Sequence, residues 1–185
     1  ERSDTVDGNV VWQRARKVTG EESTTKYTYN ERGEVETASK GGYCYRYLYT
    51  KGGKLKEKRE GGRLLFGCAY NARGQLSSLT DETGKRSEYL YDKLGRLERI
   101  QLEEGKEIRY TYDNKDRIRV IWYPNGVTSE YGYDEEGNLE NLETKQGEAV
   151  WLSLPYTYDG EGNRLKRRGK QRGSNGLEEV ETSYT

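Results

Sequence analysis

The stretch YLYDKLGRL, residues 89–97, decides the fold of this chain. Side chains alternate between the two faces of a β-strand, so Tyr89 and Tyr91 lie on the same face. Asp92 and Gly95 then occupy the first and last positions of a four-residue turn, where Asp accepts backbone hydrogen bonds and Gly adopts a positive φ. A second run of strand-forming residues follows the turn. The stretch therefore predicts a β-hairpin.

The hairpin pattern recurs along most of the chain. The second tyrosine of each Tyr-x-Tyr pair is separated from the next by 20, 21, 21, 21, 21 and 25 residues. Four residues after it a glycine follows in every repeat except the fifth, which has Asp116. A second turn with glycine, for example at Gly84 and Gly126, leads into the next repeat. Self-similarity at a fixed period is typical of repeat architectures, so the sequence predicts one hairpin per repeat.

Aliphatic residues follow each turn in pairs three positions apart, such as Leu97 with Ile100 and Ile118 with Ile121. Three is the wrong spacing for one face of a regular strand. A β-bulge would bring both residues to the same face and would also curve the sheet; otherwise one of the two points outward. We favour the bulge.

We therefore predict an all-β chain of tandem antiparallel hairpins of about 21 residues, which form a curved continuous sheet. We also predict that the repeated residues are structural. These residues are Tyr29, Gly33, Tyr49, Gly53, Tyr70, Gly74, Tyr89, Tyr91, Asp92, Gly95, Leu97, Tyr110, Tyr112, Asp113, Tyr131, Tyr133, Asp134, Gly137, Tyr156, Tyr158, Asp159 and Gly162.

The composition is that of a folded but polar protein, and its balanced charge gives no reason to expect a highly charged binding partner. Hydrophobic residues make up 31% and charged residues 35% of the chain, which leans toward disorder, but tyrosine buries a large ring and keeps its hydroxyl at a wet edge. The 32 basic and 32 acidic residues balance, so we expect neither nucleic-acid binding nor membrane insertion. The one basic run, residues 166–172, is followed by a Gly-Ser-Asn-Gly segment. We expect a solvated, mobile loop there.

The residue types give little support for catalysis or for metal binding. The chain has no histidine, which removes the usual general base and most metal sites. The aspartates stand where each turn needs an acceptor, and their spacing lacks the dense oxygen ligands of a calcium loop. We predict no enzyme activity, no metal and no cofactor. Cys44 and Cys68 lie in neighbouring hairpins, where a disulfide is the less favoured of two states.

Exposed aromatic rings suggest a possible ligand. Trp12, Trp122 and Trp151 are candidates for stacking on sugars, and Trp122 stands beside the turn at Tyr123-Pro124-Asn125-Gly126. Packing between neighbouring hairpins is the more common role of such rings. The sequence therefore leaves a glycan contact at Trp122 as an alternative.

The pattern Tyr-x-Tyr-Asp-x-x-Gly-Arg-Leu, which stands at residues 89–97, resembles the YD-repeat (Rhs-repeat) family. Further matches begin at Tyr110, Tyr131 and Tyr156, and the resemblance covers residues 27–165. Asn30, Thr50 and Asn71 depart from it, since they replace the turn aspartate in the first three repeats. Asn can make the same turn contacts, whereas Thr is less suited to them.

The resemblance implies a function as a scaffold. In the family, long arrays spiral into a hollow shell, which in bacterial polymorphic toxins encloses a C-terminal toxin domain. It implies that adjacent repeats and an enclosed toxin are the partners, and that the parent is a secreted or cell-surface bacterial protein. We expect residues 1–185 to be a single array with degenerate ends at 1–26 and 166–185, cut from a longer wall. The alternative is an adhesive repeat module that binds carbohydrate.

Overall fold

The computed structural model describes residues 2–6, 9–16, 22–173 and 176–184, with side chains from residue 23 onward. Within these residues the chain forms seventeen β-strands and one short 3₁₀ turn. Antiparallel pairing runs between strands that are neighbours in the chain. The all-β fold of tandem hairpins is thereby confirmed. No helix in the described segments is long and apolar enough to cross a membrane.

Two compact units divide the chain, one at residues 1–88 and one at residues 89–185. The strands of the first unit are β1 (Arg2–Val6), β2 (Asn9–Arg16), β3 (Glu22–Tyr29), β4 (Val35–Lys40), β5 (Tyr43–Tyr49), β6 (Leu55–Glu60), β7 (Arg63–Tyr70) and β8 (Leu76–Asp81). Strand β9 (Arg86–Tyr91) begins in the first unit and ends in the second.

The second unit continues with shorter strands and then longer ones. They are β10 (Leu97–Gln101), β11 (Glu107–Tyr112), β12 (Ile118–Trp122), β13 (Val127–Tyr133), β14 (Leu139–Gln146), β15 (Ala149–Tyr158), β16 (Arg164–Gly173) and β17 (Gly176–Ser183), with the 3₁₀ turn at Glu103–Gly105 between β10 and β11.

In six of the repeat hairpins a β-bulge lies at the start of the return strand. Tyr112 pairs with Ile118 and Thr111 with Val120, so Arg119 is the extra residue. The same shift leaves out Glu36, Lys56, Ser77, Glu140 and Leu165 in other repeats. The predicted bulge is confirmed, because it brings Ile118 and Ile121 to the same face of the sheet. There they are the cross-strand partners of Tyr112 and Tyr110.

One face of the sheet carries the tyrosines of the Tyr-x-Tyr pairs, and we call it the tyrosine face. The buried hydrophobic residues Ala38, Ile121, Val127 and Leu154 all lie on it by register. None of the large side chains in the described residues is fully buried. The core is therefore a thin layer of aliphatic residues covered by tyrosine rings, which explains how a chain so poor in hydrophobic residues folds.

The basic run at residues 166–172 is a strand, and the expectation of a solvated loop is wrong. It forms most of β16, which pairs with β15 on one side and β17 on the other. Strand β17 is acidic, and Glu181 makes ion pairs with Lys166 at 2.5 Å and Arg168 at 3.5 Å. Neutralisation by a neighbouring strand thus allows a run of cations to enter a sheet.

The ends of the chain are also strands, although the repeat pattern fades there. Residues 2–6 pair with β2, and β2 pairs with β3. Asp7 and Gly8, between β1 and β2, lie outside the described residues. That the two units form a single array remains a prediction.

The fifth repeat contains a strained turn residue. Asp116 has φ 63°, whereas the equivalent position elsewhere is glycine, for example Gly162 at φ 83°. Replacing Asp116→Gly should raise the free energy of unfolding by about 1 kcal/mol, because only glycine adopts this conformation without strain. Urea denaturation measures the change.

The reverse substitution is the control. Gly162→Asp should lower the free energy of unfolding by about the same amount, ~1 kcal/mol. The side chain of Asp116 pairs with Arg96 at 2.5 Å and is largely exposed, so the loss of this pair offsets only a few tenths of a kcal/mol, roughly. Equal stability of the Asp116→Gly variant and the parent chain would contradict the account.

Candidate functional site

The residue that follows the second tyrosine caps each turn. Asp92 Oδ1 accepts hydrogen bonds from the backbone N–H groups of Leu94 and Arg96, both at 2.9 Å. Asp113, Asp134 and Asp159 accept two backbone hydrogen bonds in the same turn, with small shifts in the donors. These bonds fix the direction in which the return strand leaves the turn.

The repeats that depart from aspartate keep part of this geometry. Asn71 Oδ1 accepts from the N–H groups of Arg73 and Gln75 at 3.0 Å each, and Asn30 does the same in the first repeat. Thr50 accepts only one such bond, from Lys54 N–H at 3.1 Å. The amide therefore reproduces the carboxylate cap and the hydroxyl does so incompletely.

Turn glycines complete the caps at the predicted places. Gly33, Gly53, Gly74, Gly95, Gly137 and Gly162 have φ between 75° and 101°. Each donates its backbone N–H to the carbonyl of the turn's first residue, as Gly95 does to Asp92 at 3.0 Å. The turn thus needs a residue that tolerates the left-handed region four residues after the second tyrosine.

The second tyrosine of each repeat reaches back to the preceding repeat. Tyr112 donates its hydroxyl to the backbone carbonyl of Leu97 at 2.7 Å, and Tyr133 donates to that of Ile118 at 3.0 Å. The same bond runs from Tyr49 to Val35, from Tyr70 to Leu55 and from Tyr158 to Leu139, each at 2.8 Å. We call this contact the tyrosine bridge. In four of the five cases the acceptor is the residue directly before the bulge, where the strand ladder is interrupted.

An arginine on the return strand joins the turn to the next tyrosine. Arg96 forms two bonds with Asp92 Oδ2, at 2.7 Å each, and lies 4.6 Å from the centre of the Tyr112 ring. Arg117 repeats this between Asp113 and Tyr133, with 4.1 Å to the ring. Sequence analysis missed this role. The arginine directly after the turn glycine in the quoted stretch was the signal that could have found it.

These contacts shift the acid–base behaviour of the turns. Burial raises the pKa of Asp113, but hydrogen bonds from Arg117 and Lys115 and the charge of Arg117 outweigh it, so the pKa lies below the ordinary aspartate value. The pKa of Asp92, Asp134 and Asp159 is lowered in the same way by hydrogen bonds within their turns. The carboxylates are thus held ionised as caps, which does not suit a general acid.

The first tyrosines of the pairs differ from the second. Tyr110 and Tyr131 lie on the tyrosine face next to Tyr123, and burial raises the pKa of both, with a further rise from Tyr123. Their hydroxyls have no hydrogen-bond partner among the described residues. Tyr156 instead stacks against Arg164, at 4.6 Å from its ring centre. The first tyrosines therefore act through their rings.

The two cysteines are free. Cys44 is exposed and pairs with Ser39, on the face opposite the tyrosines, whereas Cys68 pairs with Leu79 on the tyrosine face. Since they lie on opposite faces of the sheet, the disulfide considered from the sequence does not form.

Trp122 occupies a different kind of position. It lies on the face opposite the tyrosines, is 39% exposed, and lines two neighbouring clefts of about 640 and 740 Å³. Trp151 is half-buried, its Nε1 has no hydrogen-bond partner within the described part of the chain, and Arg172 lies 5.8 Å from the ring centre. The side chain of Trp12 lies outside the described residues. Of the two tryptophans whose side chains the structure describes, Trp122 is thus the one more open to a ligand.

These contacts define the class of protein, which is a hairpin-repeat array in which five tyrosine bridges join a hairpin to the one before it. A model of the teneurin YD-shell family matches residues 62–158, more than half of the 185 residues. The chain belongs to this family, and it is a segment of a YD shell, a structural scaffold. Curated protein sequences gave no match.

Solved structures of toxin complexes share the fold. The TcdB2–TccC3–Cdc42 crystal structure superimposes with a TM-score of 0.73 at 17% identity, covering 98% of this chain and 12% of that chain. The TcdB2–TccC3 crystal structure gives 0.59 at 13%, covering 97% and 16%. The Photorhabdus luminescens Tc holotoxin pore gives 0.57 at 16%, covering 96% and 13%. This chain therefore spans a small fraction of each of these chains, and the likeness concerns the fold.

Removing a tyrosine bridge should weaken the array. Tyr112→Phe keeps the ring under Arg96 but deletes the hydroxyl that reaches Leu97, so we expect the free energy of unfolding to fall by about 1 kcal/mol. The matched control is Tyr110→Phe, whose hydroxyl has no partner in the described part of the chain; it should cost less than about 0.5 kcal/mol. Urea denaturation compares the two variants, and equal losses would show that the bridge contributes nothing.

Acid should destabilise the fold through the turn caps. The folded pKa of the turn aspartates is lowered, so their contribution is present above the unfolded pKa, about 3.9, and is lost as the pH falls below it. Thermal unfolding between pH 7 and pH 2 measures the loss.

In that experiment, Asp134→Asn tests the contribution of one turn cap, because it removes the titratable carboxyl group. Its amide can still accept the bonds from Gly137 and Asn138, and the Asn138 amide can turn to match it. We expect stability at pH 7 within about 0.5 kcal/mol of the parent and a smaller loss in acid. An unchanged acid profile would exclude Asp134 as a source of the pH dependence.

Proposed function

We propose that this chain is a non-catalytic wall segment of a larger secreted or cell-surface bacterial protein, in which a YD shell encloses a C-terminal toxin domain. The tyrosine bridge carries the proposal. The bridge appears in five repeats with the same donor position and the same acceptor position. The repeated second tyrosines therefore use their hydroxyls to bind the backbone of the same chain. Residues used in this way hold hairpins together and leave no free reactive group.

The acidic side chains of the turns are engaged in structural contacts. No group of three or more Cys, Asp or Glu side chains in the described residues is arranged to hold a metal ion. The turn carboxylates are occupied by backbone N–H groups and by Arg96, Arg117 or an asparagine amide. The partners proposed from this arrangement are the adjacent repeats and the enclosed domain.

Protease protection tests enclosure in the full-length protein. The C-terminal domain should resist added protease while the shell is intact, because a closed wall excludes the enzyme. In the double variant Tyr112→Phe, Tyr133→Phe the wall should open more often, and cleavage should become faster. The matched control Tyr110→Phe, Tyr131→Phe alters the same strands without touching a bridge and should leave protection unchanged. Cleavage of the unmodified protein at the rate of the isolated C-terminal domain would refute enclosure.

Carbohydrate binding at Trp122 stays a prediction and is the alternative function. A half-exposed ring beside two clefts is the observation that favours it. A glycan array probed with this chain tests it, since specific binding should be saturable and should disappear in Trp122→Ala. Equal binding by Trp122→Ala would exclude this residue as a sugar contact.

A further inference from the structure

Three tyrosines of the second unit, Tyr110, Tyr123 and Tyr131, stand together on the tyrosine face, and we call them the tyrosine cluster. Tyr110 is the cross-strand partner of Ile121, which is in turn the partner of Ser129. Tyr123 and Tyr131 follow these two residues by two positions and therefore point to the same face. Only 8% of the surface of Ile121 and 6% of that of Ser129 is exposed, so the three half-buried rings form a cover over this pair.

The three phenols also lie close enough to influence one another. Burial raises the pKa of Tyr110 and of Tyr131, and the neighbouring Tyr123 phenol raises the pKa of both further. The phenols are therefore neutral near physiological pH. Neutral aromatic rings carry negative charge on their faces and attract cations there. The cluster thus brings three such rings together.

Elsewhere on the tyrosine face the chain places its own cations against tyrosine rings. Arg117 lies 4.1 Å from the centre of the Tyr133 ring, and Lys58 lies 4.4 Å from that of Tyr45. Further pairs of this kind are Lys54 with Tyr70, Arg96 with Tyr112 and Arg164 with Tyr156. A tyrosine ring on this face is thus a regular contact surface for a cation in this protein.

The tyrosine cluster has no cation of this kind among the described residues. No Lys or Arg in that part of the chain lies against its three rings. The cross-strand partners on this face are Ile121, Ser129 and Leu142, which are uncharged. The cluster is therefore open to a cation from solution, and such a cation displaces none of the chain's own ion pairs.

The kind of cation follows from the hydrogen-bond acceptors near the rings. Arg96 and Arg117, which lie against rings elsewhere, also bond with the turn carboxylates of Asp92 and Asp113. The cross-strand partners of the cluster supply no carboxylate. A guanidinium or a primary ammonium would leave N–H donors without an acceptor on the side that faces the sheet, at a cost in desolvation. A quaternary ammonium has no N–H donor and packs its methyl groups directly on aromatic rings.

We propose that the tyrosine cluster binds a quaternary ammonium group of the choline class. The methyl groups lie against the rings of Tyr110, Tyr123 and Tyr131, whose negative faces supply the attraction. Because the rings are half-exposed, the contact is shallow, and we expect weak binding in the millimolar range. The site is additional to the proposed wall function and does not depend on what the wall encloses.

Calorimetric titration of this 185-residue chain with choline chloride tests the site. We expect saturable binding of choline. Dimethylbutanol, the neutral isostere in which carbon replaces the nitrogen of choline, should bind at least about fivefold more weakly, because the ring faces attract only the cation. Methylammonium has the same charge but carries N–H donors, and it should also bind at least about fivefold more weakly than choline.

Variants of the chain locate the binding. Tyr123→Leu removes one ring and should weaken choline binding about fivefold, whereas Tyr123→Phe keeps the ring and should bind within about twofold of the parent. Tyr156→Leu is the matched control, since it removes a first tyrosine of the same unit whose ring already holds Arg164. It should bind choline like the parent.

Several results would overturn the site. They are the absence of saturable choline binding, equal binding of choline and its neutral isostere, equal binding by Tyr123→Leu and the parent chain, and loss of binding in Tyr156→Leu. If the far-ultraviolet spectrum shows that Tyr123→Leu is unfolded, the comparison of choline with its isostere on the parent chain decides.

The source of the quaternary ammonium is settled by a separate measurement. Sedimentation of the chain with phosphatidylcholine vesicles, reversed by free choline, supports a lipid headgroup as the natural ligand. Choline binding without sedimentation supports a soluble choline compound.

Discussion

In five repeats the hydroxyl of the second tyrosine donates a hydrogen bond to a backbone carbonyl of the preceding repeat, and this bond adds to the strand pairing between neighbouring hairpins. In four of them that carbonyl lies directly before a bulge. The bulge interrupts the strand ladder at that carbonyl, and the tyrosine hydroxyl supplies a hydrogen-bond donor there. The bond also carries the ring across the aliphatic residues of the preceding hairpin, so one side chain supplies both the polar contact and the cover of the core. Since the acceptor is main chain, Val35, Leu55 and Ile118 serve equally well.

Charged residues also take part in the contacts within and between repeats, which explains how a chain of polar composition can fold. Asp92 and Arg96 neutralise each other within one turn, and the guanidinium then lies against Tyr112 of the following repeat. Strands β16 and β17 do the same between neighbours, with cations on one and glutamates on the other. Opposite charges are therefore paired locally in several turns and strands, and hydropathy alone misjudges such a chain.

Local rules were enough to predict the hairpins, the turn caps and the bulge, because each depends on residues within one repeat. Contacts between repeats needed a register that no local pattern supplies. The acceptor of Tyr112 lies 15 residues earlier, and the opposite faces of Cys44 and Cys68 depend on where the bulges fall. Strand β16 was misjudged as a loop because its charge is balanced only by β17, a neighbour defined by pairing in space.

The two faces of the sheet are therefore under different constraints. On the tyrosine face, bridges, cation–ring contacts and the thin core constrain the residues that take part in them. On the opposite face the strand ladder asks only for residues that tolerate a pleated surface, and Trp122 stands there opposite Arg109 with its donor unused. A wall built in this way can alter what it contacts without altering how it holds together.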